Sequence, residues 1–174
     1  MKTLDKQKKN IALMGHMGSG KSVLGKLISK QLNFNHVDSD KLIEKKSNKT
    51  INEIFQTKGE SYFRLIEENV ILETIYQKKL VLSLGGGSIL SPKIRKALKG
   101  NFLTVFLDVD FAILSKRLIK SKRRPLINDT NIEEKIKMQK NIFDLRFSYR
   151  KIEIDHTFPK YIIENKEKFK EWII

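Results

Sequence analysis

The eight residues Gly15-His-Met-Gly-Ser-Gly-Lys-Ser22 limit what this chain can be more than any other stretch of it. They have the form GxxxxGK(S/T). The apolar run Asn10–Gly15 before them reads as a buried strand. After them, Val23, Leu24, Leu27, Ile28 and Leu32 fall at helical spacing over Lys21–Leu32. Glycines let the backbone curl so that successive N–H groups point inward at phosphate oxygens, and the helix N-terminus adds positive potential. Lys21 would reach the terminal phosphates and Ser22 would set its hydroxyl on Mg²⁺. Gly15, Gly18, Ser19, Gly20, Lys21 and Ser22 are therefore the expected contacts of a nucleoside triphosphate. His16 and Met17 are read as packing or loop residues. A glycine turn without a ligand is the plain alternative, but both flanking elements are the ones a phosphate loop requires.

The rest of the chain repeats the pattern of short apolar strand and helix. Strands are expected at 33–37, 80–84, 102–107 and 152–155. Thr50-Ile-Asn-Glu53 has the form of a capping box opening a brief helix, and 60–77 carries a longer apolar stripe. Ser91-Pro92 is a helix start; 112–119 is helical, with Asp108 or Asp110 as its cap; 132–149 and 160–174 complete the helices. Buried strands alternating with helices predict a three-layer α/β/α domain around a five-stranded parallel sheet. At 174 residues, with no repeat or linker, 1–174 reads as a single domain, and the Lys-rich residues 1–9 as a disordered tail.

Composition removes other classes. The longest apolar runs are far shorter than a bilayer span, and no secretory segment is visible, so a cytoplasmic protein without membrane contact is expected. There is no cysteine, and the histidines at 16, 36 and 156 have no ligand-like spacing. The net charge of +15 raises a nucleic-acid partner, but it comes from 28 Lys and only 7 Arg. Lysines spread over helix faces make a solvated surface. Interleaved aromatics and clustered arginines, which would grip a nucleic acid, are missing, so no nucleic-acid partner is expected.

Three further signals lie on the acceptor side. Asp38-Ser-Asp40 follows the second strand, Gly59-Glu-Ser-Tyr-Phe-Arg64 opens the long helix, and Gly85-Gly86-Gly87 ends the third strand. Ligands of open parallel sheets bind at the carboxyl ends of the strands, so the loops beginning at 15, 38, 85 and 108 should share one rim. Asp38 and Asp40 lie on one side of an extended segment, whereas a helix starting there would separate them. Both could also be plain helix caps. Asp108 rivals them as a metal-side carboxylate but is read as a cap. Arg64 is open to an ordinary helix ion pair with Glu60 or Glu68.

The combination of DxD, GExxFR, SLGGG and the later Arg124-Pro-Leu resembles the shikimate kinase family, from Asn10 to about Asp155. The resemblance implies a P-loop NTPase of the nucleoside-monophosphate-kinase type, acting as a monomer on ATP and shikimate with Mg²⁺. Residues 38–66 would form a substrate-binding insertion and 120–131 a lid. Asp38 would hold hydrated Mg²⁺ with Ser22, and Asp40 would bind the substrate hydroxyls as candidate base. Arg64, with Glu60 positioning it, would clamp the shikimate carboxylate, and Gly85, Gly86 and Gly87 would let backbone approach the substrate. Arg124, with Arg123 beside it, would act with Lys21 on the transferring phosphoryl group, while Arg117 would stack on adenine or remain a surface charge. Arg146, three residues before Tyr149, would be the second carboxylate-binding arginine, with Arg150 as its rival. A kinase of gluconate or a nucleotide, and an ATP-dependent nucleic-acid-binding protein, are the alternatives.

Overall fold

Five strands pair side by side in parallel in the computed structural model, which describes residues 10–119 and 150–154. They are β1 (Asn10–Gly15), β2 (Asn35–Asp38), β3 (Leu80–Ser83), β4 (Phe102–Val109) and β5 (Arg150–Ile154), in the order β2-β3-β1-β4-β5. The helices are α1 (Lys21–Leu32), α2 (Ser39–Ser47), α3 (Ile51–Thr74), α4 (Pro92–Leu98) and α5 (Phe111–Ile119), and a short 3₁₀ turn covers Ser88–Leu90.

Alternation along the strands divides the core between two faces. Ile11 and Leu13 of β1 join Val81, Val105 and Leu107 beneath Leu24 and Ile28 of α1 and Leu114 of α5. Ala12 and Met14 join Leu82 and Phe106 on the other face, beneath Ile71 of α3 and Ile94 and Leu98 of α4. β1 is central, with Ile11 opposite both Val81 and Leu103, and it is buried on both faces, so the apolar run needs no polar alternation. A third cluster lies apart from the sheet: Ile43 of α2 packs with Ile54, Phe63 and Val70 of α3.

The expected strands at 10–15, 80–84, 102–107 and 152–155 are all present, each within a residue or two of its bounds. The second runs over Asn35–Asp38 rather than 33–37, because Asn33 takes a left-handed conformation as the C-cap of α1. The capping box forms: the Glu53 N–H donates to Thr50 Oγ1 at 3.2 Å and the Thr50 N–H to Glu53 Oε2 at 2.7 Å. The brief helix and its longer successor form α3, broken at Gly59, whose φ of 79° and ψ of 174° are open to glycine alone at little cost. Ser91 caps α4, accepting from the Ile94 N–H at 3.2 Å.

Asp108 does not cap α5. It lies inside β4, and the cap is Asp110, whose Oδ1 accepts from the Ala112 N–H at 2.8 Å. The strand simply runs two residues further than its apolar pattern suggests. The expected helices at 132–149 and 160–174 lie outside the described residues, as do the tail and the lid.

Replacing Thr50 by Ala removes the hydroxyl half of the capping box and should cost about 1 kcal/mol of stability, read as a lower urea midpoint with an unchanged slope.

Candidate active site

The loop after β1 turns through glycines at positive φ: 146° at Gly15, 80° at Gly18 and 94° at Gly20, the last being the N-cap of α1. A Cβ at Gly15 would lie 2.8 Å from the Leu107 carbonyl oxygen of β4, so loop and strand touch backbone to backbone. The Lys21 ammonium donates to the carbonyls of Gly15 and His16, each at 2.8 Å, and reaches Ser19 Oγ at 3.4 Å. It therefore lies across the mouth of the loop, where phosphate oxygens can take over its donors. His16 is buried edge-on against Phe106, as its reading as a packing residue requires, while Met17 reaches the cleft.

Asp38 ends β2 and becomes the N-cap of α2, accepting from the Lys41 N–H at 3.3 Å. Its other oxygen accepts the hydroxyl of Ser22. Because the helix begins at Ser39, the two aspartates part company. Asp38 turns to the phosphate loop, whereas Asp40 turns to the triple glycine, where a Cβ on Gly85 would lie 2.6 Å from its Oδ1. Ser39 between them accepts the buried Gly85 N–H at 2.8 Å. These loops enclose a cleft of about 240 Å³ whose walls include Gly18, Lys21, Ser22, Asp38, Asp40 and Gly86.

Arg64 is held on both sides. Its Nη1 donates to Glu67 at 2.7 Å, and its Nη2 and Nε donate to Glu60 at 3.1 and 3.2 Å. Of the two helix partners weighed for Arg64, Glu60 is the one that pairs with it. The alternative partner Glu68 instead pairs with Lys93, 2.8 Å away. The guanidinium lies flat against the triple glycine: a Cβ at Gly87 would meet Nη1 and Nη2 at 2.5 Å each. Burial opposes the charge of Arg64, but Glu67 and then Glu60 hold its pKa above the ordinary value.

Glu67 is the group that the motifs did not reveal. Only 2% of it is exposed, and Ser88 Oγ donates to its Oε1 at 2.7 Å. Burial pushes its carboxyl above 4.5, and the pull of Arg64 and Ser88 only partly offsets this, with Asp40 adding to the rise. Its spacing, three residues after Arg64, was the available signal. Ser39 and His36 were likewise missed, the latter reaching under α1.

Arg117 comes to the phosphate loop, its Nη1 donating to the Gly18 carbonyl at 3.1 Å. Arg123, Arg124 and Arg146 lie outside the described residues. Arg150 opens β5 opposite Val105, two rungs below the register position of Gly15, so its backbone enters the sheet beneath the rim.

The family profile described as shikimate kinase matches residues 17–172. A shikimate kinase of Sulfurihydrogenibium is 39% identical over 158 residues, covering 90% of this chain and 94% of the relative. One from Bartonella henselae is 44% identical over 71% of this chain and 59% of its own longer length. Among solved structures, the shikimate kinase of Acinetobacter baumannii in complex with shikimate matches with a TM-score of 0.78 at 30% identity, covering 91% of this chain and 94% of that one.

Glu67→Gln tests the burial of this carboxyl. A folded-state pKa raised above 4.5 means that the group's contribution to stability falls as pH rises through the raised value. The melting temperature of Glu67→Gln relative to the unaltered chain should therefore climb as pH rises above 4.5 and level off once the raised value is passed. A flat or falling difference would show that the Arg64 pair outweighs desolvation.

Proposed function

We propose, from the premise that this chain belongs to the shikimate kinase family, that it transfers the terminal phosphoryl group of ATP to the 3-hydroxyl of shikimate, giving 3-phosphoshikimate and ADP. The observation that carries this reading is a guanidinium fixed beside the triple glycine, on the same rim as a phosphate loop and its lysine. An acceptor without a carboxylate, whether a neutral sugar or a base, would offer that guanidinium no charged partner to exchange for Glu60.

Each group has a part. The N–H groups and Lys21 of the phosphate loop bind the β- and γ-phosphates, and Lys21 moves from the loop carbonyls to the transferring group. Asp40, at the floor of the cleft, accepts a hydrogen bond from the attacking hydroxyl and aligns it, receiving its proton as the bond to phosphorus forms. Gly86 lines the cleft with bare backbone.

On Arg64, Glu67 fixes one edge, while the edge on Glu60, whose side chain is 63% exposed, is the one a substrate carboxylate takes over. Arg146 is the second cation for that carboxylate, in preference to Arg150, which begins below the rim. Arg124, on a lid of 120–131, closes over the phosphoryl group and excludes water. Arg117, already beside Gly18, lies on the nucleotide side, and residues 38–66 form the substrate-binding insertion.

Ser22 and Asp38 fit Mg²⁺. Their oxygens meet in the cleft, and among the described residues no group of three His, Cys, Asp or Glu could cage a metal. So thin a donor set suits an ion that keeps most of its waters and binds phosphate oxygens. Bound there, Mg²⁺ neutralises charge on the phosphates. The enzyme is further proposed to act as a cytoplasmic monomer, with no macromolecular partner in the reaction.

The test is coupled ADP release with and without shikimate, repeated with Arg64→Ala. Release should depend on shikimate. The variant should lose kcat/KM for shikimate by about 2–5 kcal/mol, a buried pair having lost one member, with little change in the KM for ATP. Unchanged turnover would defeat the clamp.

A further inference from the structure

His36 lies in β2, two residues before Asp38, so the two side chains share one face of the strand. Both lead to the first turn of α1. Asp38 accepts from Ser22 directly. His36 Nε2 is 3.0 Å from Ser83 Oγ at the end of β3, and the Ser83 hydroxyl is 3.0 Å from the Lys21 carbonyl.

A hydroxyl has one proton, and the Lys21 carbonyl can only accept, so Ser83 donates to Lys21. Its bond with His36 must then run the other way, from Nε2–H to the serine oxygen. The order is His36 Nε2–H to Ser83 Oγ–H to the carbonyl of the lysine whose amine serves the phosphate.

Packing shows the same fit. A Cβ at Gly25, one turn into α1, would lie 2.5 Å from His36 Nε2 and 2.6 Å from Ser83 Oγ. A helix-interior glycine costs about 1 kcal/mol relative to alanine, and here it clears the space that the imidazole and hydroxyl occupy. Ser83 is buried, so the link is screened from water.

We propose that His36 is a positioning residue for phosphoryl transfer: through Ser83 it fixes the backbone of Lys21, while Asp38 fixes the adjacent Ser22, so that β2 orients the phosphate-binding turn of α1 at two neighbouring residues. The inference rests on the reading of Lys21 and Ser22 as phosphate and metal groups. His36 touches neither substrate and acts through the turn. Misalignment of that turn weakens contacts made most strongly as the phosphoryl group moves, so kcat suffers more than ground-state binding.

The experiment compares His36→Leu, His36→Gln and Ser83→Ala with the unaltered full-length chain. His36→Leu should lower kcat about five- to tenfold, the value of one hydrogen bond, while the KM for shikimate stays within about twofold. His36→Gln, which keeps an N–H donor, should recover most of that loss. Combining His36→Leu with Ser83→Ala should cost little more than either alone, because both break one chain.

Normal kcat in His36→Leu, additive losses, or a glutamine no better than leucine would overturn the proposal. Should the leucine variant not fold, glutamine and Ser83→Ala still decide it. ¹⁵N spectra of the histidine ring give a readout apart from activity: a proton on Nε2 is expected, and a ring protonated on Nδ1 alone would refute the hydrogen-bond order. Absence of shikimate-dependent ADP release by the unaltered chain would strike the function instead, a result distinct from any of these.

Discussion

The hydrogen bond between Ser22 and Asp38 joins the two halves of this site. Ser22 belongs to the loop and helix that receive phosphate, and Asp38 ends the strand that leads to the acceptor side. Because Asp38 is also the N-cap of α2, the same carboxylate decides where that helix starts. The start of α2 places Ser39 on the Gly85 N–H and Asp40 beside the same glycine. The position of the triple-glycine loop thus depends on a contact made one strand away. Phosphoryl transfer asks little covalent chemistry of a protein and a great deal of alignment, which is the property such a chain of short polar contacts supplies to the proposed site.

The glycines of that loop make room for charges as well as for substrate. A methyl group at Gly87 would overlap the guanidinium of Arg64, and one at Gly85 would lie within bonding range of Asp40 and Glu67 oxygens. Charged side chains from α2 and α3 converge on a stretch of bare backbone, which lets a cation and two carboxylates stand close to one another. Gly86, between the two, faces the cleft itself. Three consecutive glycines therefore divide the labour: the outer two admit the side chains of Asp40, Glu67 and Arg64, and the middle one meets the cavity. Ser88, just beyond, ties the loop to Glu67 and completes the closure.

Most of the frame was legible in the sequence because local pattern and tertiary demand agree there. Buried parallel strands must be apolar throughout, and the phosphate loop, the capping box at Thr50 and the Ser91-Pro92 start are set by backbone chemistry within a few residues. What escaped depends on neighbours distant in sequence. Glu67, three residues after Arg64, has the spacing of an ordinary exposed helix pair; only the approach of Ser88 from beyond β3 turns it into a buried group. His36 shares its strand with Asp38, whose motif is local, but its own partner lies 47 residues away on another strand. The cap of α5 fell on Asp110 and not Asp108 because β4 is extended by pairing with β5, which no local signal at 108–110 reports. The separation of Asp38 from Asp40 was foreseen as a condition, namely a helix starting between them, and α2 supplies it.

The contacts of Arg64 also bear on the second arginine proposed for the acceptor side. Its guanidinium is already shared between Glu60 and Glu67, and Asp40 lies beside Glu67 on the same side of Gly85. Among the described residues, two carboxylates thus share this one guanidinium. Glu67 cannot yield its place, since it is buried and its other oxygen is committed to Ser88, so only the exposed edge on Glu60 is open to exchange. A carboxylate taking that edge merely replaces one anion by another, and the gain is the difference between an exposed pair and a more enclosed one. For net attraction the proposed reading calls for a second cation facing the same carboxylate, one not engaged by the acids of α3. That requirement, arising from charge balance at Arg64, gives the arginine proposed at 146 its physical purpose.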